Sequence, residues 1–467
     1  RSPMTEPHGQ PEPGHETRRE DEYELDPALV SEIVEALEAG DGPGARARAS
    51  ELHAADLADL IEQLRPAHRA ALVEAFGPDL DPQALTELSE GARDEVLAAL
   101  DPEVLAEACK TLDTDDVVYL VEDLPEEDRA RVLSALEAED RFVVRQALGY
   151  PEYSAGRLMQ REVVTAPPFW TVGQMIDFMR AAVDLPDPFY DVIVVDPAMK
   201  PLGKIPLSRV LGARRPVTLE SIMDKEFRTI RVDEPQEDVA YAFNQYHLVS
   251  APVVTEDGRL AGVITIDDAM AALQEEAEED ILRLGGVGDE EISDRIREIL
   301  RRRAPWLAVN LLTAVLASLV IAQFEAVLAQ VVALAVLMPI VASMGGNAGT
   351  QTLTVSVRAL ATRDLTATNA LRVIGREAAV GLLNGLIFAV VIGGVGLAWY
   401  GDPTLGLVLG AAMVINMLAA GLSGILIPLA LDRVGADPAL ASGVFVTTVT
   451  DVVGFFAFLG LAAAVML

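Results

Sequence analysis

Asp451 is a carboxylate in an apolar setting. It lies within GVFVTTVTDVVGFFAFLGLAAAVML, with Thr447 one helical turn before it and Gly443 a turn earlier on the same face. A carboxylate near the centre of a membrane span costs at least about 2.5–3.5 kcal/mol on insertion scales, so it marks a functional site by default. A second stretch, MPIVASMGGNAGTQTLTVSVR, interrupts another apolar region with Pro339, Gly345, Gly346, Asn347, Gly349, Thr350 and Gln351. Small residues let backbones approach closely, and amides or hydroxyls at membrane depth survive only where protein or a water-filled path satisfies them. The two stretches read as the wall of a pore or transport site. A small-residue helix contact and a structural hydrogen bond to Asp451 are the alternatives.

A third group of acids follows Asp268 in DDAMAALQEEAEEDILRLGG. Glu276 and Glu279 share one helical face, with Asp280 beside them. A divalent cation would relieve their repulsion; a solvated helix face is the bland reading. Next, DEEISDRIREILRRR (Asp289–Arg303) places Ile292, Ile296, Ile299 and Leu300 in a stripe between acids at its start and arginines at its end, as a connecting helix requires.

These stretches sit in a chain of two materials. Its 467 residues are 51% hydrophobic yet carry a net charge of −36. Acids dominate up to about Arg303, and apolar runs of spanning length follow. The acidic excess argues against nucleic acid as a partner and suits cations. A single cysteine, Cys109, leaves no intrachain disulfide and permits a reducing cytosolic setting. Residues 1–27 read as a disordered polar tail without a signal peptide, with His8 and His15 solvated.

Residues 28–150 are helical throughout and contain a repeat, LHAADLADLIEQL against LDTDDVVYLVEDL, which predicts a compact superhelix with an interaction or sensing role. Residues 151–280 hold two units in the same order, Leu158–Leu211 and Ile222–Leu273. Strands are expected at Phe189–Val195 and Leu260–Ile266, and amphipathic helices at Thr171–Val183 and Glu237–Leu248. Residues 281–304 form the acidic connecting segment. Residues 305–467 hold five spans: Trp306–Leu328, Val331–Val357, Glu377–Tyr400, Thr404–Leu431 and Ala439–Leu467. Arginines precede the first span, separate the second from the third (Arg358, Arg363, Arg372, Arg376) and separate the fourth from the fifth (Arg433), while the alternate turns have none. The positive-inside rule then makes the soluble half cytosolic and the C-terminus external, with lipid around the spans of a multi-pass protein of the cell membrane.

The duplicated unit resembles a tandem CBS-domain pair. Gly262, Thr265 and Asp268 fit the spacing by which such modules hold an adenine nucleotide such as ATP; Gly203, Pro206 and Arg209 in the first unit make a degenerate counterpart. PIVASMGGNAGTQ, RALATRD, REAAVGLLNG, GADPAL and TVTDVVGF, in this domain order, resemble the MgtE magnesium channel family from about Leu29 onward. The fold this implies is a multidomain membrane protein: an α-helical superhelix repeat domain, a tandem CBS (α/β) pair, a connecting plug helix and a five-helix transmembrane domain. The resemblance further implies a homodimeric, cytosol-gated Mg²⁺ channel with its pore on the twofold axis. Asp451 matches the acid that holds hydrated Mg²⁺ in the pore; Gly345, Gly346 and Asn347 match the bend motif of the second span. Asp437 resembles an acid facing the connecting helix. Asp115, Glu237, Asp268, Glu276 and Glu279 match sensing acids by position. Thr350 replaces an Asn of the pore mouth, His247 and Ala271 replace acids of the CBS region, and Tyr119 replaces one of the repeat domain, so cytosolic Mg²⁺ sensing is expected to be weaker or differently placed.

Two other readings compete: a carrier coupling a divalent cation to H⁺ or Na⁺, and a membrane-anchored nucleotide receptor. An enzyme is disfavoured, since the sequence shows no nucleophile-and-base pair and no His or Cys cluster.

Overall fold

The structure is a computed structural model that describes residues 25–122, 124–182, 185–186, 188–287 and 296–466. The polar tail up to residue 24 and the middle of the connecting segment, 288–295 with Ile292, lie outside the described residues. The chain forms two compact units, divided between Ala272 and Leu273.

In the first unit, short helices run from Pro27 to Ala147. Acids cap several of them: Asp26 and Asp41 accept from the backbone N–H groups of Ala28 and Gly44, both at 2.9 Å. Each helix alone is too short to be stable, so the structure depends on shared burial of apolar faces. Leu60, Ile61, Leu72, Leu85, Leu88, Leu120 and Val121 meet in one core.

Two three-stranded sheets follow. The first joins β1 (Thr165–Ala166), β2 (Asp191–Val195) and β3 (Pro201–Pro206); the second joins β4 (Ile230–Arg231), β5 (Ser250–Val254) and β6 (Leu260–Thr265). In each, the short strand pairs parallel to the middle one and the last pairs antiparallel. The register shifts at equivalent points, Val194/Val195 and Val253/Val254, so the duplication extends to the irregularity. The buried carboxylate of Asp191 ties the sheets together. Lys204 Nζ donates to it at 2.9 Å and to the Ser250 carbonyl at 3.1 Å, and Ser250 Oγ donates to it at 2.6 Å. The second unit's helix spans Gln236–Tyr246 and stops short of Leu248, because His247 caps it at φ 51°, in the left-handed region.

The second compact unit holds the end of the acidic helix Ile266–Leu284 and five helices long and apolar enough to cross a membrane. The first span is one helix with the arginines that precede it, Ile296–Ala322, continuing through Pro305. The second, Ala333–Ala361, runs unbroken through Pro339 and Gly345–Gly346. A short helix, Glu325–Gln330, occupies the turn before it. The third, fourth and fifth span Ala370–Tyr400, Pro403–Arg433 and Pro438–Met466. The fourth is the hub, the most deeply buried of the five. Glycines let its neighbours close on it. A Cβ on Gly381 would stand 2.7 Å from the Met417 carbonyl, and one on Gly421 would stand 2.9 Å from that of Glu377.

Candidate functional site

Asp451 lies near the midpoint of the fifth span and is half-buried. Thr447 Oγ donates to the carbonyls of Gly443 and Val444, both at 3.0 Å, and Thr350 Oγ donates to that of Gly346 at 2.9 Å. With their protons spent inside their own helices, these hydroxyls offer outward only oxygen lone pairs, which suits a cation. The second and fifth spans meet at Gly349, where a Cβ would stand 2.5 Å from Val446 Cγ1 and 3.5 Å from Thr450 Cγ2. Thr447 and Asp451 each follow that contact by one residue, about 100° around the helix, and so leave it for the side. On the second span, Gly345 and Gly349 are buried, Gly346 is intermediate, and Asn347, Thr350 and Thr354 are exposed.

Asn416 of the fourth span escaped the sequence reading. It is fully buried, and its Nδ2 donates to the Val341 carbonyl at 2.8 Å. Its Oδ1 has no hydrogen-bond partner among the described residues. Gly345 and Gly454 make its space: a Cβ on Gly345 would overlap its side chain, and one on Gly454 would stand 2.7 Å from Nδ2. The signal was a lone amide in the apolar run AAMVINMLAAGLSG.

In the first compact unit, Asp115 of helix Thr114–Glu122 and Asp268 of helix Ile266–Leu284 come within hydrogen-bonding reach, with Asp116 and Asp267 nearby. Burial, then the Asp268 and Asp116 charges, pushes the Asp115 carboxyl well above the usual range. Burial, then the charges of Asp268 and Asp113, raises Asp116 to about 7. Burial raises Asp268 to about 6 against the hydrogen bonds it accepts from Thr265. Those bonds reach its Oδ2 from Thr265 N at 3.3 Å and Oγ1 at 2.6 Å. The residues assigned to a nucleotide are thus engaged with one another, and Gly262 lies buried against the Gln160 carbonyl. Among the described residues no three acids, histidines or cysteines form a ready metal cage. The Asp115–Asp268 pair fits a cation that keeps most of its water and replaces a shared proton.

Glu237 is exposed in the first turn of its helix. Glu276 and Glu279 are half-buried on the acidic helix. Glu279 pairs with Arg283, whose guanidinium also binds Asp437 in the turn before the fifth span. Tyr119 receives the buried Arg93 guanidinium 3.9 Å from its ring centre, which gives an aromatic a role at that position.

The divalent cation transporter family MgtE matches residues 338–461, its intracellular N domain matches 52–153, and a CBS domain matches 219–275. The magnesium transporter MgtE of Thermus thermophilus is 33% identical over 459 residues, covering 94% of this chain and 98% of that protein. The chain belongs to the MgtE family. The magnesium transporter MgtE of Bacillus subtilis is 30% identical, over 93% of this chain and 97% of that one. A crystal structure of the cytosolic domain of the Mg²⁺ channel MgtE in complex with ATP is 29% identical, with a TM-score of 0.48, over 52% of this chain and 99% of that one. Family membership makes the chain a transporter protein and not an enzyme.

Proposed function

We propose that this chain is a homodimeric channel that admits Mg²⁺ through the cell membrane down its electrochemical gradient and closes when cytosolic Mg²⁺ rises. The observation that carries the reading is the set of polar side chains, Asn347, Thr350 and Thr354, left exposed on a spanning helix beside the half-buried Asp451. Thr350 and Thr354 give their protons to the Gly346 and Thr350 carbonyls, and lipid can satisfy neither their remaining lone pairs nor the Asn347 amide. A second copy about a twofold axis would turn them onto a shared water-filled path and set two Asp451 carboxylates on one ion. Mg²⁺ sheds water reluctantly, so two carboxylates reached through its water shell would bind it weakly enough to release it.

An inside-negative potential of 100 mV is worth ~4.6 kcal/mol for a divalent ion, enough to overfill the cell without any coupling ion. A closing signal is therefore needed, and the acids supply one. Mg²⁺ between Asp115 and Asp268 would fasten the helical domain to the CBS pair, and Glu276, Glu279 and Asp437 would serve the same end at the acidic helix. Gly262, Thr265 and Asp268 could take an adenine nucleotide only by competing with Asp115 for Asp268. Flux into proteoliposomes under a membrane potential tests the proposal. Fast Mg²⁺ entry that needs no H⁺ or Na⁺ gradient and is lost in Asp451→Ala is the expected result; strict dependence on such a gradient would establish the coupled carrier instead.

A further inference from the structure

A cleft of about 190 Å³ lies between the second and third spans, floored by Met417 and Gly421 of the fourth. Its walls carry Gln351 and Thr352 on one side and Glu377 and Asn384 on the other. Among the described residues the Gln351 and Asn384 amides make no hydrogen bond. At membrane depth such groups need a polar partner. Glu377 is 13% exposed, and Arg376 holds it through one oxygen only: Nε and Nη2 approach Oε1 at 3.2 and 3.1 Å, which leaves Oε2 for the cleft. The Arg376 side chain is itself 62% exposed. Val355 and Val380, 56% and 44% exposed, complete the rim with apolar surface.

We propose that this cleft binds a phospholipid whose headgroup carries a primary ammonium beside its phosphate, a phosphatidylethanolamine. The neighbouring charges match that zwitterion: the phosphate meets the outer Arg376, and the ammonium enters to Glu377 Oε2 and the amide oxygen of Gln351 on the facing wall. The acyl chains run inward over Val380. A metal ion would bring no phosphate to answer the exposed Arg376 guanidinium beside Glu377. A choline headgroup has no N–H to donate, and an anionic headgroup would meet Glu377. Arg358, Arg372 and Arg376 cluster at this end of the two spans and place the cleft in the inner leaflet. The site rests on the membrane reading of these helices and not on Asp451.

The full chain in nanodiscs of mixed lipid, followed by native mass spectrometry of the lipid retained, tests it. Phosphatidylethanolamine should be retained about tenfold over phosphatidylcholine and phosphatidylglycerol, the scale of one charge-assisted hydrogen bond. Glu377→Gln should abolish the preference and Gln351→Leu should weaken it. Glu325→Gln, a carboxylate in the turn at the other end of the second span, should leave it intact, as should Asp451→Ala, whatever that variant does to flux. Equal retention of the three lipids by the native chain would overturn the proposal. So would equal competition by soluble phosphoethanolamine, which would show a site for a free ligand. A change in dimer fraction in Glu377→Gln, with no lipid preference in the native chain, would show that a second copy covers the cleft.

Discussion

Asn416 reaches from the fourth span to the Val341 carbonyl of the second at 2.8 Å, between two glycines that leave it no spare room. Gly345 belongs to the helix that carries Asn347 and Thr350, and Gly454 follows Asp451 by three residues. Asn416 therefore sets the spacing of both helices assigned to the pore. Gly454→Ala should overpack this junction at a cost of about 1–3 kcal/mol and lower ion flux. Asn416→Ala should restore much of the stability of Gly454→Ala by vacating the space. Thermal unfolding and flux of the two single variants and the double variant form the measurement; additive losses would show that Asn416 and Gly454 do not share the site.

Asp451→Asn keeps the side-chain shape and removes the charge. If the two carboxylates of a dimer attract the ion, half-saturation of flux should move to at least about tenfold higher Mg²⁺, with the protein still folded. Thr447→Val removes an acceptor but no charge and should have the smaller effect. Flux titrations of the two variants settle the order, and an unchanged half-saturation in Asp451→Asn would remove Asp451 from the ion path.

The five spans and the two CBS-like units were legible because long apolar runs and repeated strand patterns leave few alternatives. Asp451 was legible because a charge among apolar residues is conspicuous. Asn416 was not: one amide in an apolar run has many structural uses, and its position between Gly345 and Gly454 depends on packing among residues about 70 and 40 positions away. Nor could sequence tell that Asp437 and Glu279 meet one guanidinium, because Arg283 is 154 residues from Asp437. Pro339 and the paired glycines interrupt the apolar run of the second span, and the helix continues through them.

The raised carboxyls of the soluble unit predict a pH dependence. Asp116 titrates near 7 and Asp268 near 6 in the folded chain, against 3.8 ordinarily, and Asp115 is raised too. The folded unit thus holds protons that the unfolded chain has released. Stability is full below about pH 4 as far as these groups decide it, and is lost as pH rises through 6 and 7. A divalent cation should offset the loss only where the acids are ionised. Hydrogen exchange across Thr114–Glu122 in the full chain, at about pH 5.5 and about pH 8, should therefore show Mg²⁺ protection mainly at the higher value. Equal protection at both values would mean that protons and Mg²⁺ do not compete there.

Arg283 holds Glu279 and Asp437 at once, joining the acidic helix to the turn between the fourth and fifth spans. Its side chain is 31% exposed, so the paired charges are worth only about 1 kcal/mol in stability. The larger consequence is for sensing. Arg283→Gln leaves two carboxylates facing each other with no cation of the protein's own between them, and their repulsion would part the helix from the turn unless Mg²⁺ took the guanidinium's place. Closure should then require more cytosolic Mg²⁺ and depend on it more steeply than in the native chain, while the double variant Arg283→Gln/Asp437→Asn, with the repulsion removed, should return toward the native midpoint. Patch recordings across a series of cytosolic Mg²⁺ concentrations read both quantities. If the single and double variants close at the same concentration, Asp437 acts independently of Arg283 and the joint is structural alone.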